Sequence, residues 1–214
     1  MKQFGRSVLW LAVFISAGYF IVMNVPPILG IGNEKLDDRR ALERTWLIIH
    51  LSFGSLALLL GSLQFWPVIR SRYPAFHRTI GKLYIIFSIT ASLMAFYLLS
   101  NYPLPASIPS LLLLNTLWLF STIIAYLFAM KKLFKFHRQF MIRSYVFALA
   151  FVFIRLLDKI DHYSGMFDFI KDKETRATFI DWAGWIVPAV ITEFFLQWWP
   201  ILKTLNKARA MERS

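Results

Sequence analysis

Six long apolar runs occupy most of this 214-residue chain, and the densest cationic clusters lie on alternate sides of them. A helix that crosses the hydrocarbon core of a bilayer needs about 20 mainly apolar residues, because all its backbone polar groups must bond within the helix. The runs reach or approach that length at residues 7–25, 45–66, 82–99, 109–130, 144–157 and 181–201. The fifth is the shortest, and it attains a crossing length only if Arg143 and Arg155 lie at its two interfaces with their charged heads snorkelling outward. The expected class is therefore all-α: a polytopic integral membrane bundle of six transmembrane helices, with residues 1–214 forming a single transmembrane domain. A soluble globular domain is excluded.

The direction of the helices follows from where Lys and Arg accumulate, since short cytoplasmic segments are enriched in both. With the amino terminus inside, Lys2 and Arg6 fall on the same side as Arg70, Arg72, Arg78 and Lys82. Lys131, Lys132, Lys135, Arg138 and Arg143 join them, as do Lys203, Lys207, Arg209 and Arg213. That side then holds 15 cations and the single anion Glu212. The first outer loop, IGNEKLDDRRALER, balances 4 basic against 4 acidic residues, and the outer segment 158–181 has 4 basic and 6 acidic. The reading is N-in and C-in, multi-pass, in the cytoplasmic (inner) membrane of a bacterium. Net charge of +12 is explained by this asymmetry. Nucleic acid is not expected as a partner, since its binding would need one continuous basic footprint. Membrane lipids are, because anionic headgroups attract the same cations.

Lys2 and Arg6 before an apolar stretch resemble a secretory leader, but the stretch is long and Asn24-Val25-Pro26-Pro27 is no small-residue cleavage signal, so a retained helix is expected. The chain has no Cys, which excludes disulfides, thiolate chemistry and Cys-ligated metals within it. Pro67, Pro74, Pro103, Pro105 and Pro109 fall near helix ends, where a missing N–H does least harm. Pro188 lies inside the last run and is expected to bend it. Trp46, Trp66, Tyr97, Trp182, Trp198 and Trp199 are expected as interfacial anchors.

Ionisable side chains at membrane depth are costly, so each is a candidate functional group. His50 lies toward the outer end of the second run, with Gly54 one turn onward on the same face and Gly61 beyond, a strip that would admit a close neighbour or a flat ligand. His77 repeats the pattern with Gly81 at the inner start of the third run, and His137 precedes the fifth run on the same side. His77 and His137 match in depth and form the candidate metal pair, two axial imidazoles for haem b. His50 is roughly 20 Å away from His77 in height and cannot join them. Arg155, expected near the depth of His50 and Asn115, either pairs with Asp158 or joins His50 around a headgroup, a quinone carbonyl or a propionate. Trp118 sits near mid-membrane, as core or as the wall of a cofactor site. Glu193, inward of the middle of the last run, either relays protons or bonds to Arg143. The candidate cofactor residues are thus His77, His137, His50, Arg155 and Trp118, and the candidate substrate residues His50, Arg155, Asn115 and Glu193. The segment from Lys131 to Arg143 interleaves Phe134, Phe136 and Phe140 with cations, as suits a headgroup zone.

These residues also carry a resemblance. His50 with Gly54 and Gly61, Gln64-Phe65, the run His77-Arg78-Thr79-Ile80-Gly81-Lys82-Leu83-Tyr84, Trp118, and the run His137-Arg138-Gln139-Phe140-Met141-Ile142-Arg143-Ser144-Tyr145 resemble the DUF2306 family of bacterial multi-pass membrane proteins. Leu149, Arg155, Trp182, Trp185, Pro188 and Glu193 extend the likeness, which covers residues 45–195. Lys82 stands where the family pattern has Arg, keeping the charge without the guanidinium fork, and Ala189 stands where it has Asn. The resemblance implies fold and topology and carries no reaction.

Two function classes remain open. One is electron transfer with haem or quinone, the cofactor held by His77 and His137 or contacted at the level of His50 and Arg155, with a quinone or redox protein as partner. The other is a small-molecule or lipid transporter or binding protein, or an accessory subunit in a membrane-protein complex. The chain contains neither G-x-S-x-G nor H-E-x-x-H, so hydrolase chemistry is not indicated.

Overall fold

The computed structural model describes residues 2–28, 41–100 and 105–212. All regular structure among them is helical: α1 (Lys2–Ile28), α2 (Ala41–Phe65), α3 (Pro67–Arg72), α4 (Pro74–Leu99), a 3₁₀ turn (Pro105–Ser107), α5 (Ile108–Met130), α6 (Phe134–Ala148), α7 (Ala150–Ser164), α8 (Lys173–Glu193), a π-helical turn (Phe194–Trp198) and α9 (Trp199–Glu212). Four continuous segments are long and apolar enough to cross a bilayer: Arg44–Phe65, Pro74–Leu99, Pro105–Met130 and Lys173–Leu205. Helices α6 and α7 make a fifth if taken together, although they meet at a 41° bend. Within α1 the apolar helix Trp10–Val25 is shorter. The fold is an all-α membrane bundle with up to five candidate spans among the described residues.

Two expectations about helix ends hold and one is refined. Pro67 and Pro74 each open a helix, and Trp66 before Pro67 is extended (φ −68°, ψ 117°), the conformation proline imposes on its predecessor. The expected third run begins at Lys82, but the helix starts two turns earlier, at Pro74. The expected fifth run, 144–157, straddles the break at Leu149. Neither Pro nor Gly marks that break, and Leu149 itself keeps helical angles (φ −77°, ψ −6°). Gly165 ends α7 in the left-handed conformation (φ 65°), and its N–H donates to Asp161 O, a geometry that a side chain strains. Asp172 caps α8 by accepting from Thr175 N at 2.7 Å.

Side-chain hydrogen bonds between different helices tie the bundle together. In lipid the apolar surfaces of neighbouring helices have little reason to prefer each other over acyl chains, so such bonds and close packing of small residues set the register. Tyr145 Oη donates to Leu58 O at 3.0 Å, linking α6 to α2. Asn115 and Ser92 clasp reciprocally: Ser92 Oγ donates to Asn115 Oδ1 (2.7 Å) and Asn115 Nδ2 donates to Ser92 O (3.0 Å), fixing α4 against α5. Trp185 Nε1 donates to Ser110 Oγ at 2.9 Å, joining α8 to α5. Close approach occurs at Gly184, where a Cβ would meet Ile154 of α7, and at Gly61, where it would meet the rings of Tyr145 and Tyr84. The close approach anticipated at Gly54 is absent, since a Cβ there would meet nothing within 4 Å. Aromatic neighbours meet α2 along its length: Tyr97 lies 5.1 Å from Trp46, Phe87 5.3 Å from Phe53, and Trp10 stacks on Phe65 at 4.8 Å.

Candidate functional site

Between α5, α6, α8 and the π-helical turn lies a cavity of about 330 Å³, within the size range of small-molecule sites. Leu117, Val146, Phe147, Trp185, Ala189 and Val190 give it apolar walls, Trp198 closes the π-turn end, and Arg143 and Glu193 form its charged corner. Val190 and Trp198 are 50% and 54% exposed on the bundle's outer surface, so the cavity borders the lipid side.

The charged corner is a bidentate ion pair. Arg143 Nε donates to Glu193 Oε1 at 2.5 Å and Nη2 donates to Oε2 at 2.9 Å. Their side chains are 15% and 38% exposed. The guanidinium carries five N–H donors in one plane, and Glu193 uses two of them, which leaves three for another oxygen-bearing group. Phe140 supports the arginine from beneath, its ring centroid 4.8 Å from Cζ, a cation–π arrangement. Glu193 owes its position to backbone irregularity. Pro188 inside α8 has no N–H to give the Gly184 carbonyl, Thr192 Oγ1 donates to Pro188 O at 2.8 Å, and the π turn begins at Phe194. Single π turns within helices recur at functional sites.

Beside Arg143 in sequence, Ser144 is fully buried at the centre of a hydroxyl cluster. Tyr84 Oη lies 2.7 Å and Thr122 Oγ1 2.6 Å from Ser144 Oγ. Tyr84, Thr122 and Ser144 are all 0–2% exposed, and Trp118 packs in the same core.

The histidines separate as their depths require. His50 Nδ1 lies 2.8 Å from Ala91 O; a carbonyl only accepts, so Nδ1 carries the proton and joins α2 to α4. Its ring meets Phe151 edge-on at 6.4 Å. His137 does the same with Ala125 O at 2.8 Å, which holds its ring with Nδ1 as the donor. His77 lies within electrostatic range of His137 and Arg70. The carbonyl of His77 accepts from Gln64 Nε2 at 3.0 Å, and the buried His77 Nδ1 has no hydrogen-bond partner among the described residues. Gly81 makes room for that glutamine, since a Cβ would come within 3.2 Å of Gln64 Oε1.

Of the residues singled out in the sequence, Glu193 meets Arg143 as anticipated. Arg155 pairs with Asp158 at 3.9 Å, with its side chain 44% exposed. No contact between it and His50 occurs among the described residues; the His50 ring meets Phe151, one turn earlier on α7. Asn115 is committed to Ser92, and Trp118 is core. Neither His77 nor His137 lines the cavity, and no group of three or more His, Asp or Glu that could hold a metal occurs among the described residues. Sequence reasoning missed the Tyr84, Thr122 and Ser144 cluster. Its one available signal was Ser144-Tyr145 following Arg143 at the end of the second HR-containing run.

A family model for predicted membrane proteins, DUF2306, matches residues 47–196. The chain belongs to the DUF2306 family. No curated protein and no solved structure matches it. The two HR-containing runs of this DUF2306 chain fall on α4 and α6, and the fold draws their residues together: Tyr84 reaches Ser144, Gly61 admits both Tyr84 and Tyr145, and Arg143 reaches Glu193.

Proposed function

We propose that this DUF2306 protein is a six-span, N-in and C-in protein of the bacterial inner membrane that binds a quinone-class ligand in the cavity beside Arg143 and Glu193. The observation that carries the reading is the composition of the wall: one guanidinium–carboxylate pair, with Thr192 whose hydroxyl is bonded to Pro188 O, in an otherwise apolar, aromatic pocket on the lipid side. A quinone has matching chemistry. Its tail enters from hydrocarbon, its ring packs against Phe147, Trp185 and Trp198, and a ring carbonyl accepts from the donors of Arg143 that Glu193 leaves free. Reduction of the quinone to the quinol consumes two electrons and two protons. A separate redox partner supplies the electrons and water the two protons, since both Glu193 oxygens accept from Arg143 and the carboxylate has no proton to give.

The test is tryptophan quenching in nanodiscs by a short-chain quinone. Saturable quenching in the native protein that is lost or weakened at least tenfold in Arg143→Gln supports the reading. Quenching that grows linearly with quinone in both proteins, as partition into lipid does, overturns it.

A second reading concerns haem b between His77 and His137. It is favoured by the Nδ1 bond from His137 to Ala125 O, the arrangement that orients a ligating imidazole through its other nitrogen. Oxidised and dithionite-reduced absorption spectra test it. A Soret band with sharp reduced bands, lost in His137→Ala, supports haem; a folded, colourless protein purified from haem-replete cells removes it.

A further inference from the structure

The end of the bundle at which α5 turns into α6 carries charge that no carboxylate among the described residues neutralises. Lys131, Lys132, Lys135 and Arg138 are all exposed. Residues 44–157 contain no Asp or Glu, and the ion pairs among the described residues belong to Arg143, Arg155 and Arg176. His137 is bonded inward to Ala125 O. Lys135 stands two residues earlier, about 200° round the helix, and so faces away from the bundle.

The turn holds Lys132 in a conformation that suits glycine better. Leu133 N–H donates to Phe128 O at 2.9 Å and Lys132 N–H to Ala129 O at 3.0 Å, the two bonds that close a helix around a left-handed residue, most often glycine. Here that residue is Lys132 (φ 57°), the one non-glycine with positive φ among the described residues. A Cβ disfavours this conformation, so the closure gains nothing from lysine. What lysine supplies and glycine lacks is an ammonium on a long stem.

Apolar rings share the same segment. Phe134 is 66% and Phe136 45% exposed, and the Phe136 ring lies 5.3 Å from that of Phe128 on α5, a helix long and apolar enough to cross a bilayer. A soluble acidic partner would answer the cations and leave the rings uncovered at the membrane boundary. A phospholipid answers both, with its phosphate toward the cations and its glycerol and acyl chains toward the rings.

We propose that the α5–α6 turn, through Lys131, Lys132, Lys135, Phe134 and Phe136, is a docking site for an anionic phospholipid of the adjoining leaflet. Arg138 extends the charge along α6. The site rests on neither the quinone nor the haem reading.

Native mass spectrometry of the protein in a non-ionic detergent tests this, with dioleoylphosphatidylglycerol or dioleoylphosphatidylcholine added and unfolding midpoints measured alongside. The native protein should retain the phosphatidylglycerol in preference. Lys132→Gly should weaken that retention about fivefold, the share of one cation near a charged surface, while its midpoint stays at or above native because the left-handed turn is relieved. Lys135→Gln, which leaves the backbone alone, should show a similar loss. Equal retention of the two lipids by the native protein overturns the proposal, as does undiminished retention in either variant or a Lys132→Gly midpoint below native. An equal loss in Lys171→Gln, between α7 and α8 at the other end of the bundle, would reveal net charge instead of a site. Displacement of the lipid by excess inorganic phosphate would reveal a free-anion site, and either result overturns the proposal too.

Discussion

The Arg143–Glu193 pair yields a prediction whose size follows from its geometry. Hydrogen bonds between charged groups contribute about 1.5–3 kcal/mol each, and severing one side of a buried pair costs about 3–5 kcal/mol. Arg143 is well covered, but Glu193 is 38% exposed, so screening reduces the coupling to about 1–3 kcal/mol. The perturbation is a double-mutant cycle of Arg143→Gln, Glu193→Gln and the double variant, unfolded by rising SDS fraction in mixed micelles and followed by circular dichroism. Each single variant should be destabilised, and the double variant should lose less than the two singles combined by that coupling. Arg143→Lys, which keeps the charge but not the fork, should lie between native and Arg143→Gln. A coupling below about 0.5 kcal/mol, the level at which separate sites simply add, would refute the claim that the two side chains clasp.

Three further outcomes follow from local geometry. Gly184→Ala should destabilise by about 1–3 kcal/mol through overpacking, because the new Cβ would sit 2.9 Å from Ile154 Cα, a backbone atom that no rotamer change can move; Gly54→Ala, with nothing within 4 Å, should be neutral or stabilising in the same unfolding assay. Ser144→Ala removes the bonds to both Tyr84 and Thr122 and should cost about 1–3 kcal/mol by stranding the Tyr84 hydroxyl. The hydrogen bonds of Asp172 to Thr175 hold its carboxyl below the usual value, so its cap supports α8 above the unfolded pKa and is lost as pH falls through the lower folded one. Amide exchange at Thr175 should accelerate across that acidic window, and Asp172→Asn should remove the dependence.

Much of the bundle was legible because membrane helices are specified by length and apolarity, with proline at their ends. Pro67 and Pro74 lie at helix ends as expected, although the helix Pro74 opens starts two turns before the expected Lys82, and Pro188 lies inside α8. The break at Leu149 was not legible, because it carries no proline or glycine. The pairing of Arg143 with Glu193 was open to reasoning from charge alone, since each would be costly at that depth without a partner. The hydroxyl cluster was not. Serine and threonine in membrane helices commonly bond their own preceding turn, as Thr116 does to Leu112 O at 2.8 Å, so their presence says little about contacts between helices. Glycine was legible as a class and not by position, since Gly54 and Gly61 share a helix but only Gly61 faces rings.

The central claim, a quinone-class ligand at the charged corner of the cavity, is tested most directly by photolabelling. An azido-quinone would be activated in nanodiscs with and without excess unlabelled quinone, and the modified residues mapped by mass spectrometry. The account predicts labels on α6 and α8 around Phe147, Trp185 and Trp198, suppressed by the competitor and diminished in Arg143→Gln. Labels scattered over lipid-facing residues such as Ile86 and Phe120 and unaffected by competitor would contradict it.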